Sequence, residues 1–360
     1  MSIENQATFY LRNVCDYSPE IGHAFAVSDS LINGFSQFSH LLRTIYQDWR
    51  SYETSTVPSK PTKIGITTDD LENYHNLTDT VDALYAIAAA GEFRPEGAAG
   101  HLCVLKVLFK TIYKKSVALP FEMLRKYGFI FEYYKNDKEV SDYKRCDLFH
   151  VSYENGDQLP EALPFIATRL AEIGRIKEMP ERVAFMLADY DFILTGEINQ
   201  NPLSESILQT IGEPAAALWK KIVPVLQEQC GLTAETSFNP YVFPTRTVTF
   251  KKNKKTVCKF EIRINRLFIR LPLSFDTAKK LILNRESLPA AINQNIDRFG
   301  CVGCRRCGGK YTTENVNGVQ LCTLSYSNFI TEDSRALRFF LTSPEEIDVI
   351  AEILLGIYGK

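Results

Sequence analysis

Three consecutive segments, 242–250, 256–264 and 267–271, alternate apolar and polar residues. A period of two sends every second side chain to the same side of an extended backbone, so each segment has one face for a core and one for water. Asn253 and Asn265 occupy the gaps, and asparagine tolerates the left-handed backbone that tight hairpin turns require. Gaps this short leave no room for a helical crossover, so the three segments are expected to form an antiparallel meander.

The chain beyond the meander offers helices to cover one face of it. Segments 275–283 and 289–296 read as short helices, and 336–341 as a further strand. Ser343-Pro-Glu-Glu346 is a strong helix start, with Ser343 as N-cap, Pro344 in the first turn and Glu346 closing a capping box. Ile347, Ile350, Ile353 and Leu354 then supply an apolar stripe. Residues 236–360 are therefore expected to be a two-layer α+β domain, an antiparallel sheet with helices on one side.

Inside that region lies the run Cys301-Val-Gly-Cys304-Arg-Arg-Cys307, followed by Cys322. Thiolates hold zinc in a closed tetrahedron at about 2.3 Å, and two-residue spacers bend a pair of them round one ion. Asn317-Gly318 is a hairpin turn signal. Folding there brings Cys322 back opposite residue 312 or 313, a few residues from Cys307. The expectation is a structural four-cysteine zinc knuckle of Cys301, Cys304, Cys307 and Cys322. An iron–sulfur cluster, serving a redox or sensor role, is the alternative chemistry, because the first three cysteines also have ferredoxin spacing. Against it, Thr323 rather than proline follows Cys322. A metal-free or redox-active thiol group is the third reading. The cysteines at 15, 103, 146, 230 and 258 stand singly in apolar or strand-like surroundings and are given no role.

The first 235 residues carry fewer signals. Residues 1–100 read as mostly helical. Ser28 or Ser30 caps a helix whose Leu31, Phe35, Phe38, Leu42, Ile45 and Trp49 fall at three- and four-residue steps. Residues 68–72 read as the start of a further helix and 79–90 as a second one, and the glycine-rich 91–100 as a linker or long loop. Residues 101–235 read as a mixed domain: a buried helix over 102–113, strands over 128–134 and 148–153 that pair as a hairpin, and helices over 159–173, 182–194, 203–211 and 214–230.

The formal net charge is −2, but it is distributed unevenly. From 239 to 310 there are sixteen lysines and arginines against four acids. A basic block beside a cysteine knuckle invites a nucleic-acid reading, since neutralising phosphates drives most non-specific affinity. Lys251, Lys252, Lys254, Lys255, Arg263 and Arg270 are the candidate contacts, with Phe268, Phe260 and Tyr241 as stacking surfaces. The plainer account puts the lysines in a hairpin turn and the rest on a solvated face.

No dinucleotide, phosphate-loop, zinc-protease or nucleophile-elbow motif is present. The acid pairs Asp69-Asp70 and Asp189-Tyr-Asp191 read as helix starts or surfaces, and His101 and His150 as ordinary histidines at the edges of apolar runs. Nothing positive marks an enzyme. The opening Met1-Ser-Ile-Glu-Asn-Gln lacks the basic and apolar runs of a signal peptide, and no apolar stretch approaches the ~20 residues of a membrane span. A cytoplasmic, non-enzymatic metal-binding protein whose N-terminal parts serve as an interaction or ligand-binding scaffold is expected, with a nucleic-acid-associated protein using the basic sheet face as the alternative; its partner would be nucleic acid or protein, and not a membrane.

The Cys301-x2-Cys304-x2-Cys307 cluster, Cys322 and Ser343-Pro-Glu-Glu-Ile347 together resemble bacterial proteins of the domain-of-unknown-function class. The resemblance is confined to the C-terminal third and implies no particular activity.

Overall fold

Ser28 holds the start of the helix Asp29–Gln47. Its hydroxyl accepts from the Leu31 N–H at 3.3 Å, a partner the first helical turn lacks on its own. In the computed structural model, which describes residues 3–15, 27–53, 68–95, 100–174, 176, 178–239, 245–299, 313–322 and 335–359, this helix buries Phe35, Phe38, Leu42 and Ile45, the stripe legible in the sequence. It packs against the helix Gln158–Ile173, which also meets Thr68–Ala90. Aromatic rings join these helices to the next pair: Phe38 lies 4.7 Å from Phe185, and Phe35 stacks on Tyr190 at 5.1 Å. The stretch expected as two helices is the single helix Thr68–Ala90.

A five-stranded antiparallel sheet completes this part, in the order β1-β2-β5-β3-β4. Its strands are β1 (Gly91–Arg94), β2 (His101–Leu105), β3 (Phe129–Lys135), β4 (Lys138–Val140) and β5 (Leu148–Tyr153). The expected pairing of β3 with β5 is present, with Phe129 opposite Tyr153. Two expectations are corrected. Residues 91–94 are a strand and not a linker, and the helix expected over 102–113 is β2 followed by the short helix Lys106–Ile112. The run Leu102-Cys-Val-Leu is apolar on both parities, so its period carries no information; pairing with β1 on one side and β5 on the other decides it. The helix expected over 182–194 is broken at Ala188, whose φ is +44°. Asp189 then caps the helix Tyr190–Thr195, accepting from the Phe192 N–H at 3.2 Å.

The chain divides into two compact units, one made chiefly of Met1–Asn199, the other of Gln200–Asn239 with Thr245–Lys360. This differs from the three regions 1–100, 101–235 and 236–360 read from the sequence. The helices Glu205–Ile211 and Ala215–Pro224 belong with the C-terminal sheet. Trp219 lies edge-on to Phe260 at 5.0 Å and to Phe250 at 6.0 Å, and the Asn265 N–H donates to the Thr210 carbonyl at 3.0 Å. An apolar helix face goes where apolar surface is available to cover it, whatever the composition of the intervening chain.

The second unit is the expected α+β architecture. Its sheet runs β12-β9-β8-β7-β6, all antiparallel, from β6 (Thr233–Asn239), β7 (Thr245–Lys252), β8 (Lys255–Arg263), β9 (Arg266–Pro272) and β12 (Ala336–Phe340). The turn between β7 and β8 has both Asn253 and Lys254 at positive φ, the twist-matched hairpin geometry, and Asn265 turns the next one. The helices Phe275–Leu283, Ala290–Ile296 and Pro344–Tyr358 share one core with the sheet's inward residues. At the last of them the Ser343 N–H donates to the Glu346 carboxylate at 3.2 Å, closing the capping box. No helix among the described residues is long and apolar enough to cross a membrane.

Candidate nucleic-acid interface

Register across β7, β8, β9 and β12 sorts the basic block into two populations. Val248, Phe260, Ile269 and Phe339 stand in line across the sheet and belong to the core. Because neighbouring residues alternate sides, the rows on either side of that line face away from the core. One of these rows is Thr249, Lys259, Arg270 and Arg338. The other is Thr247, Glu261, Phe268 and Phe340.

The first row sets three cations directly opposite one another on adjacent strands. Cross-strand partners have Cβ atoms about 5 Å apart, a spacing at which like charges destabilise a sheet. Arg270 is half-buried, and its Nε is enclosed with no hydrogen-bond partner among the described residues. An unmet donor on a half-buried guanidinium is costly to the fold.

The second row sets an aromatic pair beside these cations. Phe268 and Phe340 meet edge to face with centroids 5.2 Å apart. The Arg263 guanidinium lies 5.7 Å from Phe268 and 5.6 Å from Phe340, and Arg266 lies 5.3 Å from Phe340. Arg263 also pairs with Glu261 at 2.5 Å. Half-buried rings flanked by guanidinium planes offer stacking surface, and the adjacent cations offer phosphate contacts.

The six basic residues singled out in the sequence separate on this geometry. Arg263 and Arg270 stand within the array. Lys251 lies toward the edge strand and is ion-paired with Glu235. Lys252 is structural: its ammonium donates to the Cys230 carbonyl at 3.0 Å and the Tyr358 carbonyl at 3.1 Å, and sits 5.5 Å above the Tyr358 ring. Lys254 and Lys255 occupy the exposed tip of the hairpin. Of the expected stacking residues, Phe268 is on the array, Phe260 is fully buried in the core, and Tyr241 lies outside the described residues. Lys259, Arg266, Arg338 and Phe340 were not singled out. Parity was the available signal, since all four share the side of the alternation opposite the core residues.

The cysteines divide likewise. Cys301, Cys304 and Cys307 lie outside the described residues. Cys322 ends β11 (Val319–Cys322), which pairs with β10 (Thr313–Val316) so that Thr313 stands opposite Cys322, the register expected from the Asn317-Gly318 turn. Among the described residues no group of three or more histidines, cysteines or acids is placed to hold a metal. Burial pushes the Cys146, Cys230 and Cys258 thiols up, most strongly at Cys258, which suits inert core residues. His101 and His150 stack at 4.2 Å on the sheet of the first unit. In comparisons with protein-family models, curated proteins and solved structures, this chain finds no match.

Proposed function

We propose that the second unit binds single-stranded nucleic acid across the sheet face formed by β8, β9 and β12. The row Lys259–Arg270–Arg338 beside the Phe268–Phe340 pair carries this reading. Phosphates neutralise the cation row, and one or two unstacked bases rest on the rings and the Arg263 and Arg266 planes. The chemistry is sequence-tolerant, because every base has a π-face and every nucleotide a phosphate.

Fluorescence anisotropy of a labelled twelve-nucleotide strand tests it. Engagement of three to five phosphates gives a slope of log K against log salt of about −2 to −3.5. Arg270→Glu and Arg338→Glu each weaken binding about tenfold or more, while Lys254→Glu at the hairpin tip changes it less than about twofold. Salt-insensitive binding, or equal affinity in all three variants, refutes the reading.

The hairpin register favours a second, compatible reading: Cys301, Cys304, Cys307 and Cys322 hold one structural zinc, with an iron–sulfur cluster as the alternative. Thr313 opposite Cys322 brings the fourth cysteine to within a few residues of the third in chain terms. Elemental analysis and a visible spectrum of anaerobically purified protein decide it. About one equivalent of zinc with a featureless spectrum supports zinc, a brown iron-containing sample supports the cluster, and less than about half an equivalent of either removes both.

A further inference from the structure

In the first unit, Asp82 stands on a stretch of the helix Thr68–Ala90 that is otherwise apolar and buried: Val81, Ala83 and Leu84 flank it. Its side chain is only 11% exposed. One carboxylate oxygen accepts from the Arg182 guanidinium at 3.4 Å, a long contact to a side chain that is itself half exposed and also bonds the Ile112 carbonyl at 3.2 Å. The other oxygen is enclosed and has no partner among the described residues. A buried carboxylate is ordinarily paired and fully hydrogen-bonded, because leaving one acceptor unmet is costly.

A cavity of about 360 Å³ opens over this carboxylate. Its wall is the segment Thr111–Lys115 together with Arg182. Lys115 is ion-paired with Asp79, whereas Lys114 on the rim is exposed and has no ion pair among the described residues. The cavity therefore has an anionic floor and a cationic rim, at the small end of the size range of ligand pockets. Neither a simple anion nor a simple cation complements both ends.

We propose that this cavity binds a small zwitterion of amino-acid size, its ammonium group on Asp82 and its anionic group between Lys114 and Arg182. The ammonium pairs with the Asp82 carboxylate on the cavity side, where the 3.4 Å Arg182 contact is long, and the anionic end pairs Lys114, which has no ion pair among the described residues. The volume sets the size limit, and the distance from floor to rim selects among zwitterions of different length. The site is independent of the nucleic-acid face of the other unit, and either reading can fail without the other.

The test is calorimetry and saturation-transfer NMR on the full chain with the twenty common amino acids, γ-aminobutyrate and O-phosphoethanolamine. At least one of them is expected to bind with a Kd below about 1 mM. Removing its ammonium by N-acetylation, or its carboxylate by amidation, weakens binding about tenfold or more. Asp82→Asn abolishes binding, Lys114→Ala weakens it by about fivefold or more, and Lys138→Ala on the β3–β4 hairpin, which is not among the cavity's lining residues, leaves it unchanged. Circular dichroism confirms that the variants are folded; Lys114→Ala, at an exposed site, keeps the test valid if Asp82→Asn is not. Absence of binding by every probe at about 10 mM, or a hit that is indifferent to both Asp82→Asn and Lys114→Ala, overturns the proposal.

Discussion

Asp82 makes the sharpest prediction about stability. Burial raises its carboxyl from the usual 3.8 to about 6; Arg182 and Lys115 pull the other way, Asp79 adds to the rise and His75 opposes it. Tyr10, Tyr46 and Tyr113 also sense its charge. The folded chain thus holds the proton more tightly than the unfolded one. By linkage this contribution to stability is fully present below about pH 4 and is lost as pH rises through about 6. The loss is the rise of about two pH units multiplied by about 1.4 kcal/mol, or roughly 3 kcal/mol at neutral pH. Asparagine keeps the shape and removes the charge. Asp82→Asn is therefore expected to stabilise the first unit by about 1–3 kcal/mol at pH 7.5 and to leave it nearly unchanged at pH 4. Urea denaturation of both proteins across that range, followed by circular dichroism, measures the difference. Destabilisation of more than about 1 kcal/mol at pH 7.5 would refute the reasoning, because the Arg182 contact would then outweigh the burial cost.

The remaining predictions concern the second unit. Phe340→Ala is expected to weaken single-strand binding by about 1–3 kcal/mol with the salt slope unchanged, since stacking releases no counterions; a slope that falls with affinity contradicts the assignment. Lys252→Ala, which strips two charge-assisted bonds from the Cys230 and Tyr358 carbonyls, is expected to cost about 1–3 kcal/mol in urea denaturation, and Lys254→Ala less than about 0.5. Trp219→Ala is expected to cost about 3–5 kcal/mol, because a fully buried ring between Phe250 and Phe260 is lost and the Pro202 carbonyl loses its donor.

Much of the second unit was open to reading because its signals are local. The alternation over 245–271, the asparagines in its gaps, the Asn317-Gly318 turn and the Ser343–Glu346 box act within a few residues, and each appears in the structure where it is expected; residues 242–244 of the first expected strand lie outside the described residues. Charge count drew attention to Lys251–Lys255, yet Lys251 and Lys252 are occupied within the fold and the others sit at a turn tip. Net charge says nothing about which cations end on one face.

Taken by itself, the sequence determined the α+β class, the meander, the helix caps and the hairpin that returns Cys322, since backbone preference and periodicity act over one turn or one strand. Tertiary structure decided what depends on distant partners. Residues 101–105 became a strand because β1 and β5 flank it, and the helices of 205–224 joined the sheet that covers their apolar faces. Lys259, Arg270 and Arg338, far apart in the chain, became neighbours only through strand register. Asp82 became an unusual carboxylate only when apolar helices closed round it. Its charge is ordinary until burial removes the water that would solvate it.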